Sequence, residues 1–199
     1  MDYTLLVNKD HPLEKDFIPD NLVVYHEYNG DKIDPNHQTL VNETVLLAFY
    51  QMQQSAMVEG MKQGFSEGFH FVIDSAYRSY RYQKKILEYN LIEKGEEAYN
   101  LVAYPGTSEH QSGLAIDIAL YTAGKYNDEF DDSFPEIKWL HENAHRFGFI
   151  IRYPKNYEAI TGFNYECWHL RYVTPEVSIY MYENKIKTLE EYHELNRQK

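Results

Sequence analysis

The chain has 199 residues, of which 43% are hydrophobic and 25% are charged. This balance is ordinary for a globular protein, and we expect residues 1–199 to form a single domain. The formal net charge of −12 argues against nucleic acid as a partner, because such a field repels phosphates and basic residues occur only in short runs. The single cysteine, Cys167, excludes an intrachain disulfide.

No segment of the sequence is expected to cross a membrane. The apolar run at residues 5–7 is far too short for the core of a signal peptide. No stretch approaches the roughly 18 apolar residues of a membrane-spanning helix. We therefore expect a cytoplasmic protein, and the alternative is the trimmed ectodomain of a membrane-anchored enzyme. The composition gives no indication of the oligomeric state.

The first half of the chain predicts an arm followed by a helix, a strand and a second helix. Residues 1–37 contain three prolines and an Asn-Gly pair, which predict an extended, turn-rich N-terminal arm. Residues 39–61 carry apolar side chains at three- and four-residue steps, as in an amphipathic helix. Residues 69–74 form a short apolar run typical of a strand, and residues 79–94 again have helical spacing.

The second half alternates strands with helices. Three further strands are expected at residues 114–120, 149–152 and 167–173. A helix is expected from Pro135, because proline suits the first turn, with Asp132 or Ser133 as its N-terminal cap. Residues 153–165 read as a loop between the last two strands, and residues 174–176 open a final helix.

This order of elements predicts an α+β fold with a small, mostly antiparallel sheet flanked by helices. The last two strands can pair across their loop. Parallel pairing across the helical connections remains open for the other strands. The sequence contains no repeat, and no change in composition marks a domain boundary.

Two of the nine histidines have neighbours that point to a functional site. His110 lies in a glycine-bounded loop that leads into a strand, and Asp117 interrupts that strand between two isoleucines. A carboxylate in such a strand is costly unless it is paired or bound to a metal. The loop can fold back and bring the imidazole of His110 beside Asp117. The other seven histidines are expected to be structural or incidental: His11, His26, His37, His70, His141, His145 and His193.

A second motif, Glu-x-x-His at Glu166 and His169, enters the last strand. Two imidazoles and one carboxylate form a normal catalytic zinc set, and Glu166 can then act as a general base. Each residue also has an ordinary structural explanation. His110 can cap its loop, Asp117 can pair with an arginine, and His169 can be a core histidine. The spacing alone does not decide between a zinc site and these structural explanations, because the two motifs are far apart in sequence.

The motifs together resemble the zinc D,D-peptidases of vancomycin resistance, namely the VanY carboxypeptidases, the VanX dipeptidases and the bifunctional VanXY enzymes. Residues 108–117 read Ser-x-His-x-x-Gly-x-Ala-x-Asp, and residues 166–169 read Glu-x-x-His. A Tyr-Arg-Ser segment at residues 77–79, the opening at residues 6–13 and the closing at residues 188–192 also look like this family. The resemblance covers nearly the whole chain and implies the family's zinc D,D-peptidase, or hedgehog-like, fold.

The resemblance implies the roles of five residues in catalysis. His110, Asp117 and His169 match the positions of the zinc ligands, so that Zn²⁺ is the expected cofactor. Glu166 matches the catalytic base that takes a proton from water and later passes it to the departing amine. Arg78 matches the arginine that stabilises the tetrahedral intermediate.

The resemblance also suggests which residues line the substrate pocket. Ser108 and Gln83 match pocket positions of the family, and Ser108 is a suitable donor to the substrate carboxylate. Trp168 is expected to wall the site, with a core position as the alternative. Cys167 alternates away from Trp168 along the strand and is expected to be packing rather than a nucleophile.

The function implied by the resemblance is hydrolysis of D-Ala-D-Ala, either as the free dipeptide or at the end of muramyl pentapeptide precursors. A VanXY-type enzyme is preferred, because such enzymes are short and cytoplasmic, whereas VanY-type enzymes are typically membrane-anchored. One alternative is an L,D-carboxypeptidase that acts on tetrapeptides. The other is a non-catalytic module that binds peptidoglycan stems, but such a module should have lost a ligand or the base.

Overall fold

The computed structural model describes residues 1–25, 39–122 and 124–197. In these ranges the chain forms seven strands and seven α-helices. The strands are β1 (Leu22–Tyr25), β2 (Thr39–Asn42), β3 (Phe71–Ser75), β4 (Ala115–Thr122), β5 (Lys125–Asn127), β6 (Phe149–Tyr153) and β7 (Glu166–Tyr172). The helices are α1 (Glu43–Lys62), α2 (Tyr80–Lys94), α3 (Ala98–Leu101), α4 (Pro135–Asn143), α5 (Glu158–Thr161), α6 (Pro175–Glu183) and α7 (Leu189–Arg197).

The strands form two antiparallel sheets, which confirms the expected α+β fold with a mostly antiparallel sheet. Five strands build the main sheet in the order β3-β4-β7-β6, and β5 pairs with β4. Strands β1 and β2 form a separate antiparallel pair. The last two strands of the main sheet pair across their connecting loop, as the sequence predicts. Strand β4 therefore lies in the interior of the sheet, with β3 on one side and β7 on the other.

Helix α1 supplies the apolar face that covers the main sheet. Its side chains Val45, Phe49 and Met52 are almost completely buried and belong to the same core cluster as residues of β3, β4 and β7. Burying an apolar side chain of this size stabilises the fold by about 1.5–3 kcal/mol. This packing fixes the sheet against the helix, so that the ends of β3, β4 and β7 are held in place.

The N-terminal arm packs along the loop that carries His110. The backbone N–H of Leu13 donates to the carbonyl of Gly106 at 2.8 Å. The side-chain amide of Gln111 donates to the carbonyl of Glu14, also at 2.8 Å. Strand β1, near the end of the expected arm, is not predicted by the sequence. The Asn29-Gly30 turn and Pro35 lie outside the described residues.

The predicted start of the first helix is wrong by four residues. Residues 39–42 form β2 and pair with β1, and α1 begins only at Glu43. The reason is the side chain of Asn42, whose oxygen accepts hydrogen bonds from the backbone N–H groups of Thr44 and Val45. A side chain that satisfies the free N–H groups of a first turn marks the start of a helix.

The predicted cap of the Pro135 helix is also wrong. Helix α4 does begin at Pro135, but Phe134 occupies the cap position and makes no side-chain cap hydrogen bond. Asp132 instead accepts hydrogen bonds from Lys155 and from the hydroxyl of Tyr165. The carboxylate therefore joins this segment to the residues after β6 rather than capping the helix.

The loop between the last two predicted strands contains a short helix that the sequence analysis missed. The C-cap of α5 is Gly162, which adopts a left-handed conformation at φ 73°. Helices α3 and α7 are also not predicted by the sequence. The helices from Tyr80 and from Pro175 begin within one residue of their predicted starts. Among the described residues, none of the helices combines the length and apolar character that a membrane span requires.

Candidate metal centre and active site

The register of the main sheet brings the two sequence motifs together. Asp117 on β4 lies directly opposite His169 on β7, and on its other side it pairs with Ser75 at the end of β3. Directly opposed residues of neighbouring antiparallel strands have their Cβ atoms about 4.5–5.5 Å apart. The strand pairing alone therefore places the carboxylate beside the imidazole, although the two motifs are far apart in sequence.

His110 reaches the same point from a single 3-10 turn at Glu109–Ser112. Its Nδ1 lies 2.7 Å from the carbonyl oxygen of Ala76, which directly follows β3. This hydrogen bond leaves Nε2 to face Asp117, whose Oδ2 is 3.1 Å away. Gly113 ends the turn in a left-handed conformation at φ 73° and lets the chain enter β4.

The side chains of His110, Asp117 and His169 converge on one point. One potential ligand atom from each lies within 4.8 Å of the other two. Nδ1 of His169 is 3.0 Å from Oδ1 of Asp117. Despite these short separations, Nε2 of His110 and Oδ1 of Asp117 are buried and have no aligned hydrogen-bond partner. Polar atoms that converge without bonding to each other fit a metal ion, and two imidazoles with one carboxylate are a zinc-type set with an open position.

The protonation states of the two histidines differ for a physical reason. Burial disfavours the imidazolium form of His110, and the nearby Arg78 guanidinium adds to this, so that its pKa falls to about 4. Burial also opposes the charged form of His169, but Asp117, Glu109 and Glu166 outweigh it and raise its pKa to about 9. His110 is thus neutral at pH 7, and His169 carries a proton that a metal ion would have to displace.

Glu166 stands at the edge of the ligand group with its side chain 26% exposed. Its Oε2 lies 3.4 Å from Nδ1 of His169. Burial raises the pKa of Glu166, with the carboxylates of Asp117 and Glu109 acting in the same direction. A carboxylate with a raised pKa beside an open metal position has the properties of a general base.

Arg78 follows β3 and approaches the site from the other side. Its Nη2 donates to Oδ2 of Asp117 at 3.3 Å, and its Nη1 donates to Oε1 of Gln83 at 3.3 Å. Gln83 is buried on α2 and donates in turn to the carbonyl of Ala103 at 2.9 Å. The amide of Gln83 therefore holds the guanidinium in position, in addition to lining the cleft.

A cleft of about 100 Å³ opens on the ligand group. It contains most of the predicted site residues, including Ser108, and its walls are Arg78, Gln83, Ile86, Leu101, Val102, Ala103, Ser108, His110, Tyr153, Phe163, Glu166 and His169. A larger cavity of about 260 Å³ lies between β6 and α6 and contains none of the predicted site residues. The small cleft is therefore the candidate active site.

The expected role of Trp168 as a wall of the site stays a prediction. Its side chain is 37% exposed, and Trp168 is not among the residues that line the cleft. The prediction for Cys167 is confirmed, because this residue is 2% exposed in the main core cluster and burial raises the pKa of its thiol to about 11.

Two aromatic residues that the sequence did not single out also line the cleft. The ring of Tyr153 lies 4.8 Å from the ring of His169 and 4.7 Å from the ring of Phe163. Both residues lie in the segment 153–165, which the sequence predicts as a loop. Lys9 of the N-terminal arm donates to the carbonyl of Gly162 at 2.9 Å, so the arm holds this wall in place.

A buried ionic cluster that the sequence does not predict lies beneath the ligand group. Glu109, Arg152 and Arg171 are fully buried. Burial opposes ionisation of Glu109, but the two guanidinium groups outweigh it and hold the pKa of this carboxyl far below its usual range. The available signal was weak: one glutamate directly before His110, and one arginine in each of the last two apolar strands.

The other histidines that the structure describes make local contacts. His145 stacks on Tyr182 with ring centroids 3.6 Å apart, and His70 packs edge-on against Tyr121 at 5.4 Å. His141 and His193 approach the backbone carbonyls of Cys167 and Thr4, respectively. His11 contacts the side chain of Asn8. His26 and His37 lie outside the described residues.

Known proteins are similar to this chain in sequence and fold. The family model of VanY, D-alanyl-D-alanine carboxypeptidase, matches residues 38–175. YodJ of Bacillus subtilis (strain 168), named as a carboxypeptidase, is 38% identical over 191 residues, which cover 95% of this chain and 66% of YodJ. The bifunctional D-Ala-D-Ala dipeptidase and D-Ala-D-Ala carboxypeptidase VanXYC of Enterococcus gallinarum is 35% identical over 95% of this chain and 92% of its own length.

The chain spans only part of several relatives. It covers 66% of YodJ and 56% of a D-alanyl-D-alanine carboxypeptidase of Enterococcus faecium, which is 34% identical over 189 residues. The remaining parts of those two relatives lie outside the matched region. VanXYC, in contrast, matches over nearly its whole length.

Several solved structures are also similar to this chain in fold and sequence. The LD-carboxypeptidase LdcB has a TM-score of 0.76 at 38% identity, with 95% of this chain and 84% of that chain covered. A mutant of the vancomycin resistance D,D-pentapeptidase VanY in complex with Zn(II) has a TM-score of 0.74 at 28% identity, with 96% and 99% covered. The vancomycin resistance D,D-dipeptidase VanXYg in complex with a D-Ala-D-Ala phosphinate analogue has a TM-score of 0.72 at 32% identity, with 97% and 70% covered. The chain thus belongs to the VanY family of D-alanyl-D-alanine carboxypeptidases.

Proposed function

We propose that this protein is a zinc metallopeptidase that hydrolyses D-Ala-D-Ala and removes C-terminal D-alanine from peptidoglycan precursors. The observation that carries the proposal is the convergence of His110, Asp117 and His169, whose ligand atoms lie within 4.8 Å of one another. These three side chains are the proposed zinc ligands. They come from one sheet and its connecting loops, which supports a single peptidase domain over residues 1–199.

Each residue around the ligand group has a distinct task in the proposed reaction. A bound zinc ion would lower the pKa of a water molecule and polarise the scissile carbonyl. Glu166 takes the proton of the attacking water and then delivers it to the leaving amine of D-alanine. Arg78 donates hydrogen bonds to the oxygen that becomes negative in the tetrahedral intermediate. Gln83 keeps the Arg78 fork in place through the hydrogen bond between Nη1 and Oε1.

The walls of the cleft define the proposed substrate end. Ser108 lines the cleft and is a donor for the terminal carboxylate of the substrate. Tyr153 and Phe163, whose rings are 4.7 Å apart, also line this cleft. A volume of about 100 Å³ suits a small terminal residue such as alanine rather than a bulky one.

Dipeptidase activity in addition to carboxypeptidase activity is part of the proposal. VanXYC, which carries both activities in its name, matches this chain over 92% of its own length. We propose the same pair of substrates here, namely the free dipeptide and muramyl pentapeptide. Removal of both would deplete the D-Ala-D-Ala ends to which vancomycin binds, so we propose a role in vancomycin resistance.

A second candidate function is L,D-carboxypeptidase activity on tetrapeptides. It is favoured by one observation, the fold similarity to the LD-carboxypeptidase LdcB at a TM-score of 0.76. The same ligands, base and arginine can serve either reaction, because the two substrates differ only in the residue that precedes the terminal D-alanine. A non-catalytic stem-binding module is disfavoured, since a full ligand set and Glu166 are both present.

The experiment that tests the proposal is an assay of D-alanine release by zinc-loaded and chelator-treated protein. The substrates are D-Ala-D-Ala, a pentapeptide stem that ends in D-Ala-D-Ala, and the corresponding tetrapeptide stem. We expect release from the first two substrates, loss after chelation and recovery with zinc. Full activity without metal would contradict the zinc mechanism, and cleavage of the tetrapeptide alone would select the L,D-carboxypeptidase.

A further inference from the structure

Four charged side chains form a buried cluster directly beneath the ligand group. Glu109 forms ion pairs with Arg152 and Arg171, and Arg152 also forms an ion pair with Glu190 on α7. The side chains of Glu109, Arg152 and Arg171 have no exposed area, and that of Glu190 is 15% exposed. Two positive and two negative groups balance, which is the condition under which buried charges are tolerated.

The two carboxylate oxygens of Glu109 face different partners. Oε1 accepts hydrogen bonds from Nε of Arg152 at 2.8 Å and from Nη1 of Arg171 at 2.6 Å. Oε2 accepts no hydrogen bond and lies 3.7 Å from Nε2 of His169. That nitrogen is itself buried and has no hydrogen-bond partner among the described residues. The two unpaired atoms therefore face each other.

The two ring nitrogens of His169 therefore face two different carboxylates. Its Nδ1 points to Oδ1 of Asp117, inside the ligand group, and its Nε2 points outward to Glu109. His110 has the same arrangement, because one nitrogen faces Asp117 and the other contacts the carbonyl oxygen of Ala76. Each of the two proposed histidine ligands thus has an acceptor behind it, a neutral carbonyl for His110 and a carboxylate for His169.

We propose that Glu109 is a positioning residue for the metal ligand His169. The carboxylate attracts the proton to Nε2 and leaves the lone pair of Nδ1 directed at the metal position. The separation of 3.7 Å is longer than a direct hydrogen bond, so the orienting force is the charge interaction across a dry interior. The inference rests on the proposed metal site, because it needs His169 to be a ligand.

The arginines explain why this carboxylate can act from a buried position. Both arginines donate hydrogen bonds to Oε1 of Glu109 and fix the rotation of the carboxylate. Oε2 is therefore directed at His169. Arg171 also donates to the backbone carbonyls of Tyr3 and Leu5, at 3.1 and 2.6 Å. The N-terminal arm and α7 therefore hold the cluster from both sides, and they hold His169 through it.

The test compares two substitutions of Glu109 with a control in the same cluster. Glu109→Gln removes the charge, whereas Glu109→Asp keeps the charge and withdraws it by one methylene. Glu190→Gln is the control, because it takes a charge from the cluster without facing His169. The measurements are the zinc dissociation constant, by competition with a chelating dye, the visible absorption spectrum of the cobalt-substituted protein, and the free energy of unfolding of the metal-free protein.

We expect both Glu109 variants to bind zinc about 10- to 100-fold more weakly and to shift the cobalt spectrum. Glu190→Gln should lower the unfolding free energy but leave zinc binding and the spectrum unchanged. Wild-type zinc affinity in a folded Glu109 variant overturns the inference, and so does an equal loss of affinity in Glu190→Gln. If Glu109→Gln does not fold, Glu109→Asp decides, and if neither folds the residue is structural and the inference is wrong. Failure of the wild-type protein to bind zinc would instead reject the proposed function.

Discussion

Glu166 is the residue whose replacement separates metal binding from turnover. Glu166→Gln keeps the size of the side chain and removes its basicity. Because Glu166 is not among the three converging ligands, zinc content should stay at the wild-type level. The rate constant kcat should fall by about two to four powers of ten, the usual contribution of a general base. Metal analysis and steady-state kinetics on the same preparation check both parts.

The control for this substitution is Asp117→Asn, which changes a proposed ligand. It should lose zinc and activity together, whereas Glu166→Gln loses activity alone. Near-normal turnover of a folded Glu166→Gln variant would remove this residue from the mechanism.

Arg78 offers a test of where the enzyme stabilises charge. Arg78→Lys keeps a positive charge but replaces a planar fork, which now bonds to both Asp117 and Gln83, with a single ammonium group. If the guanidinium binds the developing oxyanion, kcat should fall by about 10- to 1,000-fold while KM changes much less. A rise in KM alone would show that Arg78 holds the substrate carboxylate instead.

The proton on His169 predicts how zinc binding depends on pH. The metal-free protein has a pKa of about 9 at His169 and about 4 at His110. Between these values only His169 must lose a proton to become a ligand, so zinc affinity should rise about tenfold per pH unit from pH 6 to 8. Calorimetry in buffers of different ionisation enthalpy should detect about one proton released per zinc. Binding without proton release at pH 7 would contradict this assignment.

At the residue scale, the sequence predicted the side chains that are proposed to bind the metal and react. It did not predict the buried side chains that position them. Asp117 could be identified because a carboxylate in an apolar strand needs a partner. Glu109 could not, since its partners Arg152 and Arg171 come from distant strands and their burial follows from packing alone.

At the element scale, the turn that enters β6 requires a glycine at position 148. Gly148 has φ 90°, and an added Cβ would lie 2.5 Å from a ring carbon of Tyr172 and 3.1 Å from Pro175. Gly148→Ala therefore combines backbone strain of about 1–2 kcal/mol with overpacking of about 1–3 kcal/mol. Urea unfolding should show a loss of about 2–5 kcal/mol.

Gly124 provides the matched control for this prediction. It has φ 73°, and no heavy atom lies within 4 Å of the position of an added Cβ. Gly124→Ala should therefore cost only the backbone strain, about 1–2 kcal/mol. Equal losses in the two variants would show that the contact with Tyr172 relaxes freely.

The elements that could be predicted are those whose sequence pattern and capping residue lie within or next to the element itself. Helix α2 has both its apolar spacing and its Ser79 cap in the sequence, and α6 has Thr174 before Pro175. The start of α1 was misplaced because residues 39–42 continue the apolar pattern of the helix but are drawn into a strand by pairing with β1. Tertiary pairing overrode the local pattern there.

At the scale of the whole molecule, the site depends on contacts between distant parts of the chain. Asp117 meets His169 through strand pairing, and His110 is held by the carbonyl of Ala76. Neither contact can be read from sequence spacing, because register is set only when the sheet assembles. The resemblance to a family supplied the ligand set that the spacing left undecided.

The specificity of the whole site yields the last prediction, which rests on the proposed function. The cleft should accept D-Ala-D-Ala, free or at the end of a precursor, and reject L-Ala-L-Ala and D-Ala-D-lactate. With the substrate carboxylate fixed at Ser108, we expect an inverted methyl group to point at the wall of the cleft rather than into its free space. Lactate replaces the amide N–H with an oxygen, and an unpaired buried acceptor costs about 1–3 kcal/mol, or about 5- to 150-fold in kcat/KM. Release of D-alanine and D-lactate at equal substrate concentration measures this ratio, and comparable cleavage of the lactate-ended pentapeptide would show that the cleft does not recognise the amide.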